Sequence, residues 1–314
     1  MRAPVWRSFY GISAIRPAAF ADATGKVFRS DMRVLVTGLN GFTGRYMRRA
    51  LEEHGHQVAG LASDLADPLA VRQEVHAFRP EAAIHLAGIS FLEHSDANAF
   101  YLVNLIGTRN LLDALAQDAD RLQRVLLASS ANVYGNTIDG IIDESVLPSP
   151  VNDYAVSKLA MEQMAGLWMG KLPIVITRPF NYTGVGHDAR FVIPKLVAHF
   201  ARRAESVELG NLDVEREFND VRTVCDAYLR LLQHGQPGQT YNICSGQPVA
   251  LRRAIDTLKH LTGHDLRIMQ NPDLVRANEV RHLCGNPAKL EACIGKLRHL
   301  GLEETLRWML SAGA

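Results

Sequence analysis

From Arg33 onward, short β-branched runs alternate with amphipathic stretches of helical length, the pattern of a parallel sheet covered by helices on both faces. The runs predict strands over Arg33–Thr37, Gln57–Leu61, Ala82–Leu86, Arg124–Ala128, Pro173–Thr177 and Thr240–Ile243. Between the first two, residues 43–54 bring Tyr46, Met47, Ala50 and Leu51 onto one helical face, and Gly55 is placed to stop that helix. Similar stretches run over about 97–117, 153–169 and 220–233. The fold class expected is α/β, a Rossmann-like doubly wound parallel sheet. The core unit is expected over 32–183, with 220–246 returning to it, whereas 184–219 and 247–314 break the alternation and are expected to form a smaller C-terminal lobe.

Residues 1–31 show no usable periodicity and carry Arg2, Arg7 and Arg16 with no acid before Asp22. They are expected to lie outside the fold. An early start codon with Met32 as initiator, an added leader and an Arg-rich, acid-poor targeting peptide would each produce such a stretch, and the first is favoured.

Composition adds exclusions. The 314 residues are 47% hydrophobic and 21% charged, which argues against a disordered chain and a small disulfide scaffold. With 34 Lys and Arg against 33 Asp and Glu, the formal charge is +1, and no basic cluster points to nucleic acid or a membrane surface. No apolar run reaches membrane-spanning length. Cys225, Cys244, Cys284 and Cys293 show no CxxC pairing, so they are expected to be reduced thiols of a cytoplasmic protein. Among the 12 histidines, His54 and His56 lack partners at metal-ligand spacing and His187 sits beside a glycine-rich loop, so no metal is expected.

The first strand leads into Gly38-Leu39-Asn40-Gly41-Phe42-Thr43-Gly44. A side chain at the first glycine would obstruct the tight turn, one at Gly41 would obstruct a pyrophosphate, and one at Gly44 would part helix from strand. The helix N-terminus then offers amides and a positive dipole end to phosphate. Because strand and helix both lie where the motif requires them, dinucleotide binding is expected. Asp64, twenty residues after Gly44, could serve an adenosine ribose or adenine edge, or could cap a helix before Pro68. NAD and NADP stay open, with a lean to NADPH because no acid clearly excludes its phosphate.

Tyr154-Ala155-Val156-Ser157-Lys158 puts a phenol and an ammonium four positions apart, on one helical face. A nearby lysine cation lowers a tyrosine pKa toward working pH, which suits proton transfer to a substrate oxygen. Ser129-Ser130 leaves the fourth strand at its carboxyl end, where open α/β sheets bind ligands, so Ser130 can share that oxygen.

In combination, TGLNGFTG, His85-Leu86-Ala87-Gly88, Asn104 in VNLIGTRNLLDA, SSANVYG, YAVSK and Arg178-Pro179-Phe180-Asn181 resemble the extended short-chain dehydrogenase/reductases that act on nucleotide sugars, over Arg33 to about Leu290. The resemblance implies Ser130, Tyr154 and Lys158 as catalytic residues. It implies cofactor contacts from Gly38, Gly41, Phe42, Thr43, Gly44, Asp64, Leu65, Leu86, Ala87, Gly88, Asn104, Tyr154 and Lys158. It also implies a homodimer packed through the helices near 97–117 and 153–169.

Within that family, 4,6-dehydratases need carboxylates beside the catalytic hydroxyl residue, but Ala131 and Asn132 stand there. A 4-keto reductase or a 4-epimerase with tightly bound NAD is left. The segments 210–221, Arg190-Phe191-Val192-Ile193, Tyr241-Asn242-Ile243-Cys244-Ser245-Gly246 and Val275-Arg276-Ala277-Asn278-Glu279-Val280 resemble GDP-4-keto-6-deoxy-D-mannose reductases. That implies Arg216 and Arg276 on a GDP-sugar diphosphate, Glu279 on a ribose hydroxyl and Asn181 near diphosphate or sugar, with the late lobe binding substrate. Ala277 in place of the usual proline, and Gly295-Lys296-Leu297 in place of Gly-Trp-x-Pro, depart from the pattern. A non-catalytic sensor or scaffold of the same fold would be expected to lose the Tyr154/Lys158 pair, which is present here.

Overall fold

A computed structural model describes residues 31–90, 96–136, 140–275 and 282–313. Six parallel strands form the central sheet: β1 Arg33–Thr37, β2 Gln57–Gly60, β3 Ala82–His85, β4 Arg124–Ala128, β5 Ile174–Pro179 and β6 Thr240–Ile243, in the order β6-β5-β4-β3-β1-β2. Each expected strand is present within a residue or two. Their inner positions are almost wholly apolar because helices cover both faces of the sheet.

Among the described residues, ten helices accompany the sheet: α1 Phe42–Glu53, α2 Pro68–Phe78, α3 Ala97–Tyr101, α4 Thr108–Leu115, α5 Asp153–Gly166, α6 Val192–Ala201, α7 Val221–His234, α8 Leu251–Thr262, α9 Ala288–Ile294 and α10 Leu302–Ser311. A π-helical turn, Leu102–Gly107, joins α3 to α4. On one face of the sheet α1 and α7 enclose Met47, Leu51, Val224 and Tyr228; on the other, α2, α4 and α5 enclose Val71, Leu111, Leu112 and Met161. Fully burying each such side chain contributes roughly 1.5–3 kcal/mol. Met32, ahead of β1, is also fully buried, and its carbonyl accepts from Gln57 N at 2.9 Å.

Ile193, Leu196, Phe200, Leu258, Leu306 and Met309 build a second, smaller core from α6, α8 and α10. The expectation that all of 247–314 belongs there is corrected at α9. Leu290, Ile294 and Leu297 pack with α7 and β6 in the core of the central sheet instead. Three short strand pieces stitch the two regions: Leu283 in His282–Gly285 pairs with Arg216, and Cys284 and Gly285 pair with Ile141 and Ile142.

Candidate active site

The glycine turn follows from close backbone approach. Gly38 has φ +69°, and a Cβ there would lie 2.8 Å from Ala87 N; a Cβ on Gly44 would lie 2.6 Å from Leu39 Cα. These contacts press the turn against Leu86 and Ala87 at the end of β3, and seat α1 on the strand. Helix α1 begins at Gly41 with no side-chain cap and no acid in its first turn. Its leading amides are thus available to an anion, whereas α2, α5 and α7 are capped by Asp67, Asn152 and Asp220.

Phe42 and Thr43 are committed to protein contacts. The Phe42 ring stacks on His187 at 4.4 Å between centroids, and Thr43 Oγ1 lies 2.8 Å from Tyr182 Oη, either hydroxyl being able to donate. His187 is a packing residue: burial holds its pKa down to about 4, with Asp188 opposing, and Phe191 stacks on its other face. Among the described residues no group of three or more His, Cys, Asp or Glu could hold a metal.

A second convergence joins β3, the π turn and α5. A Cβ on Gly88 would meet Asn104 Oδ1 at 2.8 Å and Lys158 Nζ at 3.2 Å. Asn104, fully buried within the π turn, accepts from Ile89 N at 3.0 Å and donates to Ser157 Oγ at 3.0 Å. The π turn that carries it is a local irregularity of a kind frequent at functional sites. Lys158 Nζ donates to the Ala128 carbonyl at 2.8 Å. Burial pulls the Lys158 ammonium down to about 8, with Glu162 pulling the other way.

Ser130 lies just past β4 and is buried. Its Oγ accepts from Asn132 N and Nδ2, each at 3.1 Å. Two donors on one hydroxyl leave its own proton to point elsewhere, and Ser130 hydrogen-bonds the Tyr154 phenol. Burial raises the Tyr154 pKa and that bond opposes the rise. Burial and Ser130, not Lys158, therefore set the phenol, unlike the expectation from spacing. Ser130, Tyr154, Lys158, Asn104 and Gly88 thus surround one site at the carboxyl ends of β3 and β4.

The remaining expected residues divide. Asp64 is an exposed Asx turn whose Oδ1 accepts from Ala66 N at 2.9 Å; the cap before Pro68 is Asp67, which accepts from Leu69 N and Ala70 N. Leu65 packs into the core against Gly107, with its carbonyl accepting from Asn110 Nδ2 at 2.8 Å. The Asn181 carbonyl accepts from Asn219 N at 2.8 Å. Arg216 is half-buried in the strand Glu215–Arg216. Arg276 and Glu279 lie outside the described residues.

Several site residues escaped the sequence reading. Ser129 Oγ is buried just past β4 without a partner among the described residues. Glu217, fully buried, accepts from Ser245 N at 2.6 Å, Gly285 N at 2.7 Å and Asn219 Nδ2 at 3.0 Å, and so fixes the segment that carries Arg216. Glu74 on α2 reaches back to the end of β2, accepting from Ala62 N at 2.8 Å and from Ser63 N and Oγ at 2.9 and 2.6 Å. A carboxylate from α2 thus stands just past β2, where the local sequence offers no acid before Asp64.

The parallel sheet, the uncapped glycine-rich helix start and the Ser130/Tyr154/Lys158 cluster define a dinucleotide-dependent oxidoreductase of the Rossmann type. The chain belongs to the NAD dependent epimerase/dehydratase family, whose model matches residues 34–244. It is 36% identical over 294 residues to GDP-6-deoxy-D-mannose reductase of Pseudomonas aeruginosa, spanning 89% of this chain and 96% of the relative. It is 34% identical over 269 residues to GDP-6-deoxy-D-talose 4-dehydrogenase of Aggregatibacter actinomycetemcomitans, spanning 84% and 92%. The solved structure of RMD from Pseudomonas aeruginosa complexed with NADPH superposes with a TM-score of 0.83 at 34% identity, covering 90% of this chain and 97% of that one.

Proposed function

We propose that this protein reduces the C4 keto group of GDP-4-keto-6-deoxy-D-mannose to give GDP-D-rhamnose, using NAD(P)H. The convergence of Ser130, Tyr154 and Lys158 at the carboxyl ends of the central strands carries the proposal. Identity of 34–36% to two enzymes named for GDP-6-deoxyhexoses supports the substrate class.

Gly38, Gly41 and the leading amides of α1 would hold the pyrophosphate, and Lys158 and Asn104 would hold the nicotinamide end beside Gly88. The bound dinucleotide supplies the hydride delivered to C4. Tyr154 hands its phenolic proton to the oxygen that becomes an alkoxide, and Ser130, its lone pairs taken by Asn132, donates a hydrogen bond to the same oxygen. Lys158, held by Ala128, offers its positive charge to the phenolate left behind. Arg216 would face the diphosphate of the substrate, a role that suits a guanidinium fork, with Arg276 and Glu279 expected beside it.

The protein is further proposed to act as a cytoplasmic homodimer. Leu102 and Ile106 on the π turn and Val156 on α5 are 49%, 42% and 38% exposed, an apolar stripe on the helices expected to pair. The four cysteines are free, as a reducing compartment requires.

Incubation with GDP-4-keto-6-deoxy-D-mannose and each reduced nicotinamide, with the product read by NMR, tests the proposal. GDP-D-rhamnose with stoichiometric cofactor oxidation is expected. GDP-6-deoxy-D-talose would overturn the C4 configuration only, and interconversion of sugars without net oxidation of added cofactor would point to an epimerase.

A further inference from the structure

We propose that Glu74 makes this protein select NAD(H) over NADP(H), by placing a carboxylate on the hydrogen-bond donors at the end of β2 that a 2′-phosphate would need. The inference rests on the dinucleotide reading of the glycine turn.

The end of β2 lies beside that turn. Val36 of β1 is in register with Gly60 of β2, and a Cβ on Gly60 would meet Leu39 Cδ2 of the turn at 2.9 Å. In Rossmann folds this strand end receives the adenosine ribose, with an acid serving a 2′-hydroxyl or an arginine serving a 2′-phosphate. Local sequence offers Asp64 for the first task, but Asp64 is exposed and its Oδ1 is engaged by the Ala66 amide in an Asx turn. Glu74 arrives from the second turn of α2 and closes three bonds on Ala62 and Ser63. Burial pushes its carboxyl up, but the bonds from Ser63 and Ala62 outweigh that and hold it below the usual glutamate range.

A carboxylate and a phosphate are both acceptors, so neither can satisfy the other, whereas a ribose hydroxyl can donate to Glu74. The Ser63 amide and hydroxyl, natural donors to a phosphate, already point at Glu74. Compensating cations are also missing from the chain nearby: no lysine or arginine occurs from residue 57 to 71 or from 34 to 44. Arg72, next along α2, is committed to Asp113 at 2.8 Å, and Arg45 donates to the carbonyls of Asn40 and Gly186. Rejecting a competitor through an unmatched charge is an effective route to specificity. The Pseudomonas relative was solved with NADPH, so the choice of cofactor would be a departure from it and not an inheritance.

Isothermal titration of the intact protein with NADH and with NADPH tests the inference without any turnover, and kcat/KM for each gives a second reading. The wild type is expected to bind NADH at least about tenfold more tightly. Glu74→Gln, of nearly the same shape, is expected to move the ratio of the two dissociation constants at least about tenfold toward NADPH. A residue that merely braces the loop would weaken both cofactors alike and leave the ratio fixed. Equal or tighter binding of NADPH by the wild type, or an unmoved ratio in Glu74→Gln, overturns the inference and leaves the proposed reaction standing. Failure of both nucleotides to bind would overturn the dinucleotide reading itself and the inference with it.

Discussion

Lys158 Nζ is tied to the Ala128 carbonyl, 2.8 Å away, so the ammonium carried by α5 is fixed against the last residue of β4. Burial lowers that ammonium to about 8, and Glu162, four residues on, partly restores it. A base whose pKa is pulled down is cationic below that value and neutral above it, and the proposed role requires the cation. In the free enzyme kcat/KM should therefore fall as pH rises through about 8. Lys158→Arg, whose charge persists at alkaline pH, should shift that limb upward even if its maximum is lower. A pH profile of kcat/KM from 6 to 10 for the two proteins checks this; superimposable alkaline limbs would remove Lys158 as the group responsible.

Tyr154 and Asn132 are expected to fail in different ways. Tyr154→Phe removes the proton donor and should lower kcat by roughly 10²–10⁴ while dinucleotide still binds. Asn132→Ala keeps the backbone donor to Ser130 Oγ but deletes the side-chain one, so the hydroxyl proton is less firmly directed. A smaller loss, about tenfold in kcat with KM little changed, is expected, since the interaction strengthens only at the developing alkoxide. Steady-state kinetics with parallel cofactor titrations separates the two. Full activity in Tyr154→Phe would end the assignment.

Behind the site, Arg178 on β5 forms a bidentate pair with Glu162 on α5, at 3.0 and 2.6 Å, and donates to Tyr134 Oη at 2.9 Å. Both side chains of the pair are under 10% exposed. Breaking such a pair strands the survivor, so Glu162→Ala should cost about 3–5 kcal/mol in urea unfolding. The double variant Glu162→Met, Arg178→Met should recover most of that, because neither member of the pair is left stranded without the other. A double variant no more stable than Glu162→Ala would show that Arg178 matters chiefly through Tyr134.

What could be read from sequence alone follows a physical divide. The strands and the α1, α5 and α7 helices were legible because their apolar periods are local, as were the turn glycines and the YxxxK spacing. Glu74 was not, because only the return of α2 onto β2 brings it to Ser63, eleven residues earlier. Glu162 and Glu217 were missed for a related reason: a lone acid in an amphipathic stretch looks solvated until the partners from other elements close on it. Asp64 against Asp67 was decidable locally, since the residue directly before a proline at N1 is the one placed to cap. The helix α9 carries a good apolar face, but which core receives it depends on the chain's path, which periodicity does not encode.

The exposed stripe of Leu102, Ile106 and Val156 makes a prediction about assembly. Charged residues there would have no partner once two copies meet, so Leu102→Asp with Ile106→Asp should yield a monomer by light scattering, against a dimer for the wild type. Because these side chains face outward, the variant should remain folded by circular dichroism. A monomeric wild type would refute the dimer directly.

Two glycine substitutions should move in opposite directions. An alanine at Gly44 would press its Cβ on Leu39 Cα at 2.6 Å and on the Gly38 carbonyl, both backbone atoms that cannot rotate away. Relieving that contact requires α1 to move off the turn, so Gly44→Ala should destabilise by a few kcal/mol, on the order of other core overpacking changes, and abolish dinucleotide binding. At Gly166, the last residue of α5, an added methyl would meet nothing within 4 Å, and φ is not positive. Gly166→Ala should therefore stabilise by up to about 1 kcal/mol through helix propensity and leave cofactor affinity alone. Urea denaturation and NADH titration of the pair check both signs. If Gly44→Ala bound dinucleotide as the wild type does, the close approach of α1 to the turn would not be what shapes the phosphate site.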